Sequence, residues 1–179
     1  EGKGCRTFKD PQPSFQSPIA KLVQDYPIKS CSVVAHIRQA NRGMVALENT
    51  HPFTRELWGR NWTYAHNGQL KGYKSLKTGN FHPVGETDSE KAFCWLLQEL
   101  NKSHANVPTV EELTCTLSEL VPPLAALGTF NMLLSNGQAL WAHASTRLYE
   151  LQRRDPFGTA NLANADVGID FSTQTTPRD

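Results

Sequence analysis

Two amphipathic helices in the middle of the chain, with strand-like segments on both sides, constrain the fold most strongly. The first helix is predicted to begin at Thr87, which can form a capping box with Glu90, and to run to about Ser103. The apolar face of this helix comprises Phe93, Leu96, Leu97 and Leu100. The second helix is predicted to begin at Pro108-Thr109, and Pro122-Pro123 is expected to end or kink it. Its apolar face comprises Leu113, Leu117, Leu120 and Val121. Each helix needs a second layer against which to bury that face.

The segments on either side of the helices supply strands. Ser17-Pro18 predicts a short helix that Pro27 ends, and Asn136-Gly137 is a strong hairpin signal. Residues 39–61 are expected to be irregular. The predicted strands are Cys5–Lys9, Cys31–Ile37, Trp62–His66, Phe130–Ser135, Gln138–Ala144 and Leu148–Arg153. Strands, then two helices, then strands again indicate a layered α+β domain.

Composition excludes several classes of protein. The chain has 179 residues, which suits a single domain over 1–179, and its net charge of +1 gives no reason to expect a nucleic-acid partner. No apolar run approaches the roughly 20 residues of a membrane span. The four cysteines form no C-x-x-C pair, which excludes a zinc ribbon. Because they are widely spaced in a chain that is not small, we expect no disulfide framework and a cytoplasmic location. We also expect no metal site and no cofactor.

Polar residues suited to chemistry are concentrated between His36 and Glu90. They form four short motifs in chain order, which are H-x-R at 36–38, N-x-H-P at 49–52, H-N-G at 66–68 and T-D-S-E at 87–90. If the strands that carry the first and third motifs are neighbours, these residues gather at one end of a sheet.

The residue types in these motifs favour a site for a small polar ligand. Arg38 offers a planar fork for a carboxylate, and Asp88 offers a counter-charge for an ammonium group. The side-chain amide of Asn67 and the backbone N–H of Gly68 are a pair of donors of the kind that an oxyanion hole needs. A ligand with a carboxylate, an ammonium group and a polarised carbonyl would match these residues. An amino acid with a reactive side-chain amide, such as glutamine, has all three groups.

The four motifs, in this order and spacing, resemble the class II glutamine amidotransferase domain. The stretches at 35–43 and 49–53 are similar to the YafJ-type branch. The resemblance implies an N-terminal-nucleophile hydrolase-like αββα sandwich, here incomplete because its first and last strands are missing. It also implies hydrolysis of the glutamine side-chain amide to glutamate and ammonia.

The resemblance assigns a role to each candidate residue. Asn67 and Gly68 would be catalytic and would stabilise the tetrahedral oxyanion. Arg38 would hold the substrate α-carboxylate, and Asp88 its α-ammonium group. Asn41 and His51 would bind substrate from a loop, residues 39–51, that helps to close over it. The substrate would be glutamine or a γ-glutamyl compound, and the acceptor of the ammonia is a partner that the motifs do not identify.

The family nucleophile is a cysteine at the first position of the mature chain, whose α-amino group serves as the base. This chain begins with Glu1, and Cys5 has no free α-amino group. We therefore expect the chain to be an internal fragment of the domain, with the binding and oxyanion residues but not the nucleophile. Taken by itself, it is expected to have no glutaminase activity.

Other interpretations of the same residues stay open at this stage. Asn67-Gly68 is also the preferred dipeptide of a type I′ hairpin turn. Asp88 could serve only the dipole of the helix. The chain could be a catalytically dead module that binds glutamine or a γ-glutamyl compound. It could also be a metal-dependent hydrolase built on His36, His51 and His66, although their spacings match no metal motif.

Overall fold

The computed structural model describes residues 4–26, 28, 30–37 and 44–150, together with the backbone of two short strands further along the chain. The chain divides into two units, Glu1–Arg147 and Leu148–Asp179. In the described part of the smaller unit, strands β5 (Thr159–Asn161) and β6 (Gly168–Asp170) pair in antiparallel orientation. The prediction of a single domain over 1–179 stays a prediction.

The described residues of the larger unit form three helices and a four-stranded antiparallel sheet in the order β1-β2-β3-β4. Single 3₁₀ turns lie at Leu47–Asn49 and Tyr73–Ser75. The helices are α1 (Pro18–Asp25), α2 (Asp88–Ser103) and α3 (Val110–Ala125), and the strands are β1 (Phe53–Leu57), β2 (Arg60–Leu70), β3 (Gly128–Ser135) and β4 (Leu140–Ala144). Sheet and helices together give the predicted α+β architecture.

The helices α2 and α3 cover one face of the sheet. Alternate side chains of β2 point to that face, and Trp62 and Tyr64 are completely buried there. Tyr64 stacks on Phe93 of α2 with ring centroids 5.0 Å apart. The remaining large side chains of this core come from the sheet and from both helices and include Phe53, Leu96, Leu97, Leu100, Leu113, Leu124, Phe130 and Leu134. This core fixes α2 against β2, and the candidate site lies where these two elements meet.

Two hairpins set the register of the sheet. The predicted β3–β4 hairpin is confirmed, with Gly137 at φ 82° in its loop. The β1–β2 hairpin was not predicted, because residues 39–61 were expected to be irregular. Its turn is Trp58-Gly59, with both residues at positive φ (58° and 70°), the requirement of a type I′ turn. Tryptophan gives no turn signal, and the sequence between Phe53 and Leu57 alternates poorly.

Two predicted strands, and the described part of a third, are not strands in the structure. Cys5–Lys9 and Cys31–Ile37 lie along the chain without ladder partners in its described part, and so do residues 148–150 of the segment Leu148–Arg153. Residues 151–153 lie outside the described residues. Val33 and Ile37 are 71% and 80% exposed, so this segment is not covered by a neighbouring layer of described residues. A β-branched sequence favours a strand only where a neighbour pairs with it.

Helix ends follow the predicted caps in most respects. The Ser17 side chain caps α1, and the Thr87 hydroxyl accepts from the Glu90 N–H at the start of α2. The reciprocal bond of the predicted capping box is absent, because the Glu90 carboxylate is engaged elsewhere. Pro122-Pro123 was expected to end or kink α3. The helix does not end there but continues to Ala125, since the fully buried Leu124 holds the last turn against the core.

The Glu90 carboxylate forms an ion pair with Arg55 of β1 and accepts the Gly85 N–H at 2.7 Å. The side chain of Glu90 is 2% exposed and that of Arg55 is 23% exposed. This pair therefore connects the first turn of α2 to the edge strand of the sheet.

We expect Glu90→Gln to lower the free energy of unfolding by roughly 2–3 kcal/mol, below the ~3–5 kcal/mol of a fully buried pair because Arg55 keeps some solvent. Urea unfolding measures this change. Glu99→Gln is the matched control, since Glu99 pairs with Lys102 on the exposed side of the same helix. Equal effects of the two substitutions would contradict a structural role for the Arg55–Glu90 pair.

The four cysteines, all of them described, are free thiols. Cys94 lies in the core, and burial raises the pKa of its thiol to about 11. No helix in the described part of the chain is long and apolar enough to cross a membrane.

Candidate active site

The candidate site lies along an open edge of strand β2. Strand β1 pairs with β2 only as far as the pair Phe53–Tyr64. Beyond Tyr64, β2 continues to Leu70 and pairs on its other side with β3. Among the described residues, the segment 66–70, which contains the H-N-G motif, is therefore bordered by a strand on one side only.

The backbone N–H of Gly68 points to this open edge. Gly68 lies opposite Phe130 in the β2–β3 ladder. Phe130 directs its own N–H and C=O away from β2, because these groups bond the hydroxyl and the N–H of Ser145 at 3.3 and 3.1 Å. Opposite residues of an antiparallel ladder either both exchange hydrogen bonds or both point outward. The Gly68 N–H is thus directed away from β3.

Two side chains bind the backbone groups on either side of Gly68 along the same edge. His36 donates from Nε2 to the carbonyl of His66 at 3.1 Å. Asp88 accepts the Leu70 N–H at Oδ2 at 2.7 Å. Because alternate residues of a strand share a direction, these two contacts agree with the direction of the Gly68 N–H. The edge therefore presents an N–H donor with a carboxylate two residues further along.

Two backbone N–H groups hold the Asp88 carboxylate in position. Besides the Leu70 N–H, it accepts the N–H of Ser89 at Oδ1 at 2.9 Å. As the first residue of α2, it also lies at the positive end of the helix dipole. Residues 68 and 70 of a strand are roughly 7 Å apart. The carboxylate thus lies about one small amino acid away from the Gly68 N–H.

Gly68 is required to be glycine by its surroundings. Its φ is 155°, and a Cβ built on it would lie 2.7 Å from the backbone carbon of Thr129 and closer still to the carbonyl oxygen. The same Cβ would lie 2.9 Å from His66 Nε2. No side chain can therefore occupy this position without displacing β3.

Asn67 lies within β2, with its side chain on the exposed face of the sheet opposite the helices. Its carbonyl accepts from Asn131 Nδ2 at 2.9 Å. The alternative of an Asn67-Gly68 hairpin turn is wrong, and so is the prediction that the strand ends here. β2 continues for two further residues because Gln69 and Leu70 pair with Thr129 and Gly128.

His51 is buried next to the same edge. Its ring stacks on that of His36 at a centroid distance of 4.2 Å and packs edge-on against Phe53 at 4.6 Å. Since His36 bonds the carbonyl of His66, the loop that ends at His51 is connected to β2 immediately before Asn67. The structure thus brings together four of the six predicted site residues, namely Asn67, Gly68, Asp88 and His51. Arg38 and Asn41 lie outside the described residues.

Ser89, for which the sequence predicted no role, places its hydroxyl 2.8 Å from His66 Nδ1. Ser89 belongs to the T-D-S-E motif, but only the structure shows that its side chain points back to β2. From the sequence, His66 was considered as a metal ligand or as a core or loop histidine with backbone partners. Burial lowers the pKa of His66, and the nearby Asp88 carboxylate partly opposes this change. Burial also raises the pKa of the Tyr64 phenol, and Asp88 adds to that increase.

The three histidines make ring contacts and hydrogen bonds to backbone carbonyls and to a serine hydroxyl. In the part of the chain that the structure describes, no group of three or more His, Cys, Asp or Glu side chains is arranged to hold a metal ion. The alternative of a hydrolase built on a histidine-bound metal has no support from these residues.

Comparison with known proteins identifies the family of the chain. The whole chain, residues 1–179, matches the family model of class II glutamine amidotransferases. The chain belongs to the class II glutamine amidotransferases. Among the relatives of this amidotransferase chain is YafJ of Escherichia coli strain K12, named as a glutamine amidotransferase, with 70% identity over 180 residues that cover all of this chain and 71% of YafJ.

A second relative, from Haemophilus influenzae and also named as a glutamine amidotransferase, is 45% identical over 172 residues. That match covers 96% of this chain and 58% of the relative. A crystal structure described as a predicted glutamine amidotransferase from Pseudomonas aeruginosa is similar with a TM-score of 0.68 and 48% identity, over 79% of this chain and 56% of that chain. The amidotransferase chain thus spans between about half and three quarters of these proteins. The likeness confirms the predicted α+β, N-terminal-nucleophile hydrolase-like fold.

Proposed function

We propose that this chain provides the glutamine-binding and oxyanion-stabilising part of a glutaminase site. In this proposal, a protein in which the chain follows an amino-terminal cysteine, here called the cysteine-led protein, hydrolyses the side-chain amide of glutamine to glutamate and ammonia. The observation that carries the proposal is the open edge of β2, where the Gly68 N–H and the Asp88 carboxylate face the same space.

The proposed reaction has two steps. The cysteine thiolate attacks the amide carbon, and the carbonyl π electrons move to oxygen to give a tetrahedral oxyanion. The Gly68 N–H and the Asn67 side-chain amide donate to this oxygen, since hydrogen-bond donors aimed at developing charge stabilise the transition state. The C–N bond then breaks, and ammonia leaves with the proton that the α-amino group took from the thiol. Water hydrolyses the resulting thioester to glutamate and restores the cysteine.

Substrate orientation follows from the charges beside the edge. The α-ammonium group of glutamine would pair with Asp88, and its side-chain carbonyl would reach the Gly68 N–H roughly 7 Å along the strand. The α-carboxylate would be held by Arg38, two residues after His36. His51 would help to position the loop of residues 39–51, because its ring stacks on that of His36. The same contacts would suit any γ-glutamyl compound whose α-amino and α-carboxyl groups are free.

Cys5 is poorly placed to replace the nucleophile. Its Sγ lies 3.6 Å from the Thr63 hydroxyl, at the part of β2 that β1 covers. Thr63 and Asn67 are four residues apart on the same strand, which is roughly 13 Å. A thiol at Cys5 is therefore too far from an oxyanion held at Gly68.

Loss of either proposed substrate anchor is expected to weaken binding more than chemistry. In the cysteine-led protein, Asp88→Asn and Arg38→Ala should each raise KM for glutamine by about 10- to 100-fold, the usual cost of one charge-assisted hydrogen bond, with little change in kcat. Steady-state ammonia release at varied glutamine concentration measures both constants.

Glu86→Gln serves as the matched control for Asp88→Asn, because Glu86 is an exposed carboxylate two residues before it. An unchanged KM in Asp88→Asn would remove Asp88 from the substrate site. If the cysteine-led protein binds glutamine but releases no ammonia, the chain is a glutamine-binding module and the hydrolase proposal is wrong.

A further inference from the structure

His66 is a buried polar side chain, 3% exposed, for which neither the proposed substrate contacts nor the proposed reaction has a use. Its ring lies between β2, β3 and the first turn of α2. Nε2 is 3.3 Å from the carbonyl oxygen of Thr129, and Nδ1 is 2.8 Å from the hydroxyl of Ser89. Both ring nitrogens thus have a defined partner.

These partners determine which nitrogen carries the hydrogen. A carbonyl oxygen can only accept, so we assign the hydrogen to Nε2, which donates to Thr129. Nδ1 of the neutral ring then accepts the Ser89 hydroxyl hydrogen. Burial lowers the pKa of His66 and keeps the ring neutral at neutral pH.

The Thr129 carbonyl connects His66 to the proposed oxyanion donor. This carbonyl lies directly against the Cα of Gly68, where a Cβ would overlap it. His66 Nε2 itself lies within 2.9 Å of the position of that Cβ. When the His66 ring is held in place, the Thr129 carbonyl that contacts Gly68 is also held in place. The direction of the Gly68 N–H is then determined as well.

Ser89 connects the other side of the ring to the proposed ammonium site. Its N–H donates to Asp88 Oδ1 at 2.9 Å, and its hydroxyl oxygen lies 3.5 Å from the same carboxylate oxygen. If His66 gains a proton, Nδ1 becomes a donor and the Ser89 hydroxyl hydrogen has to turn away from it. The Asp88 carboxylate is the acceptor within reach.

We propose that His66, held by Ser89 and Thr129 as the neutral Nε2–H tautomer, is a positioning residue that couples the oxyanion donor Gly68 to the substrate anchor Asp88. The inference rests on the proposed function and adds a pH-sensitive link between its two halves. Activity falls as the pH drops through the pKa of His66, because the protonated ring changes the hydrogen bonds of both neighbours.

The other titratable groups around the ring do not replace His66 in this role. Asp88 faces it from α2, and His36 bonds its carbonyl from the segment before the loop. Tyr64, also on β2, stacks on the His66 ring with the two ring centroids 6.4 Å apart. Burial raises the pKa of the Tyr64 phenol, which therefore stays neutral. His143 of β4 lies behind Phe130.

Ser89→Ala tests the coupling in the cysteine-led protein. We expect kcat for ammonia release to fall by about 10- to 100-fold, the effect of a misplaced donor, with KM raised less. The acidic limb of the kcat–pH profile should move to lower pH, because the imidazolium loses its charge-assisted bond at Nδ1. Ser89→Thr should keep kcat and the acidic limb of the profile close to those of the unsubstituted protein. Ser118→Ala, which removes an exposed hydroxyl of α3, should change neither kcat nor the acidic limb.

A second measurement does not depend on activity. Nitrogen-15 chemical shifts of the histidine rings in the 179-residue chain should show His66 as the Nε2–H tautomer with a pKa below 6.5. A hydrogen on Nδ1, a pKa at or above 6.5, or an unchanged kcat–pH profile in Ser89→Ala would overturn the inference. Failure of the cysteine-led protein to release any ammonia would instead overturn the proposed function, while the tautomer would still be measurable.

Discussion

Gly68→Ala is expected to damage both the stability and the activity of this protein. The added Cβ would overlap the Thr129 carbonyl, and φ at 155° is a region that residues other than glycine rarely adopt. Strain and overlap together should lower the free energy of unfolding by about 2–5 kcal/mol. Because the N–H moves with the backbone, kcat of the cysteine-led protein should fall at least 10²-fold, as on loss of an oxyanion donor. Urea unfolding and ammonia release measure the two effects.

The chain offers a control for the positive φ alone. Gly137 in the β3–β4 loop has φ 82°, and a Cβ added there meets no heavy atom within 4 Å. Gly137→Ala should therefore cost only about 1–2 kcal/mol of conformational free energy and leave kcat unchanged. If Gly68→Ala were no worse than Gly137→Ala, the close approach of the Thr129 carbonyl would not determine the residue at position 68.

Asn67→Ala is expected to lower kcat for ammonia release by about 10²–10³-fold with little change in KM, the usual signature of losing one oxyanion donor. The reason is that the Asn67 amide would donate to the substrate oxygen only when that oxygen carries negative charge. The free energy of unfolding should change little. The side chain is exposed, and Asn67 contributes its backbone carbonyl, not its amide, to the bond with Asn131.

Local signals in the sequence predicted the elements that depend on local contacts. The Ser17 and Thr87 caps mark helix starts correctly, and Asn136-Gly137 marks the β3–β4 hairpin. The prediction of a strand at Cys31–Ile37 was wrong. Its β-branched residues favour a strand only when another strand pairs with them, and no described neighbour does so. Strand β1 was missed for the opposite reason. Its residues Thr54 to Glu56 are polar, yet β2 pairs with all of them.

The motifs predicted the residue types of the site but not how they converge. From the sequence, β2 was expected to end at Asn67-Gly68. Leu70 still belongs to the strand, and its N–H donates to Asp88. The link between Gly68 and Asp88 depends on those two additional residues. The contact of His66 with Ser89 is likewise tertiary, since the two residues are 23 positions apart and nothing in either motif specifies which way the side chains turn.

The central claim is that Asn67 and Gly68 stabilise an oxyanion at the open edge of β2. Its most direct test is the ratio of kcat for ammonia release between Gln69→Ala and Asn67→Ala in the cysteine-led protein. Gln69 is the matched control because its side chain is exposed on the same face of β2, two residues further along. The account predicts a ratio of about 10²–10³ with similar KM values. A ratio near one would contradict it.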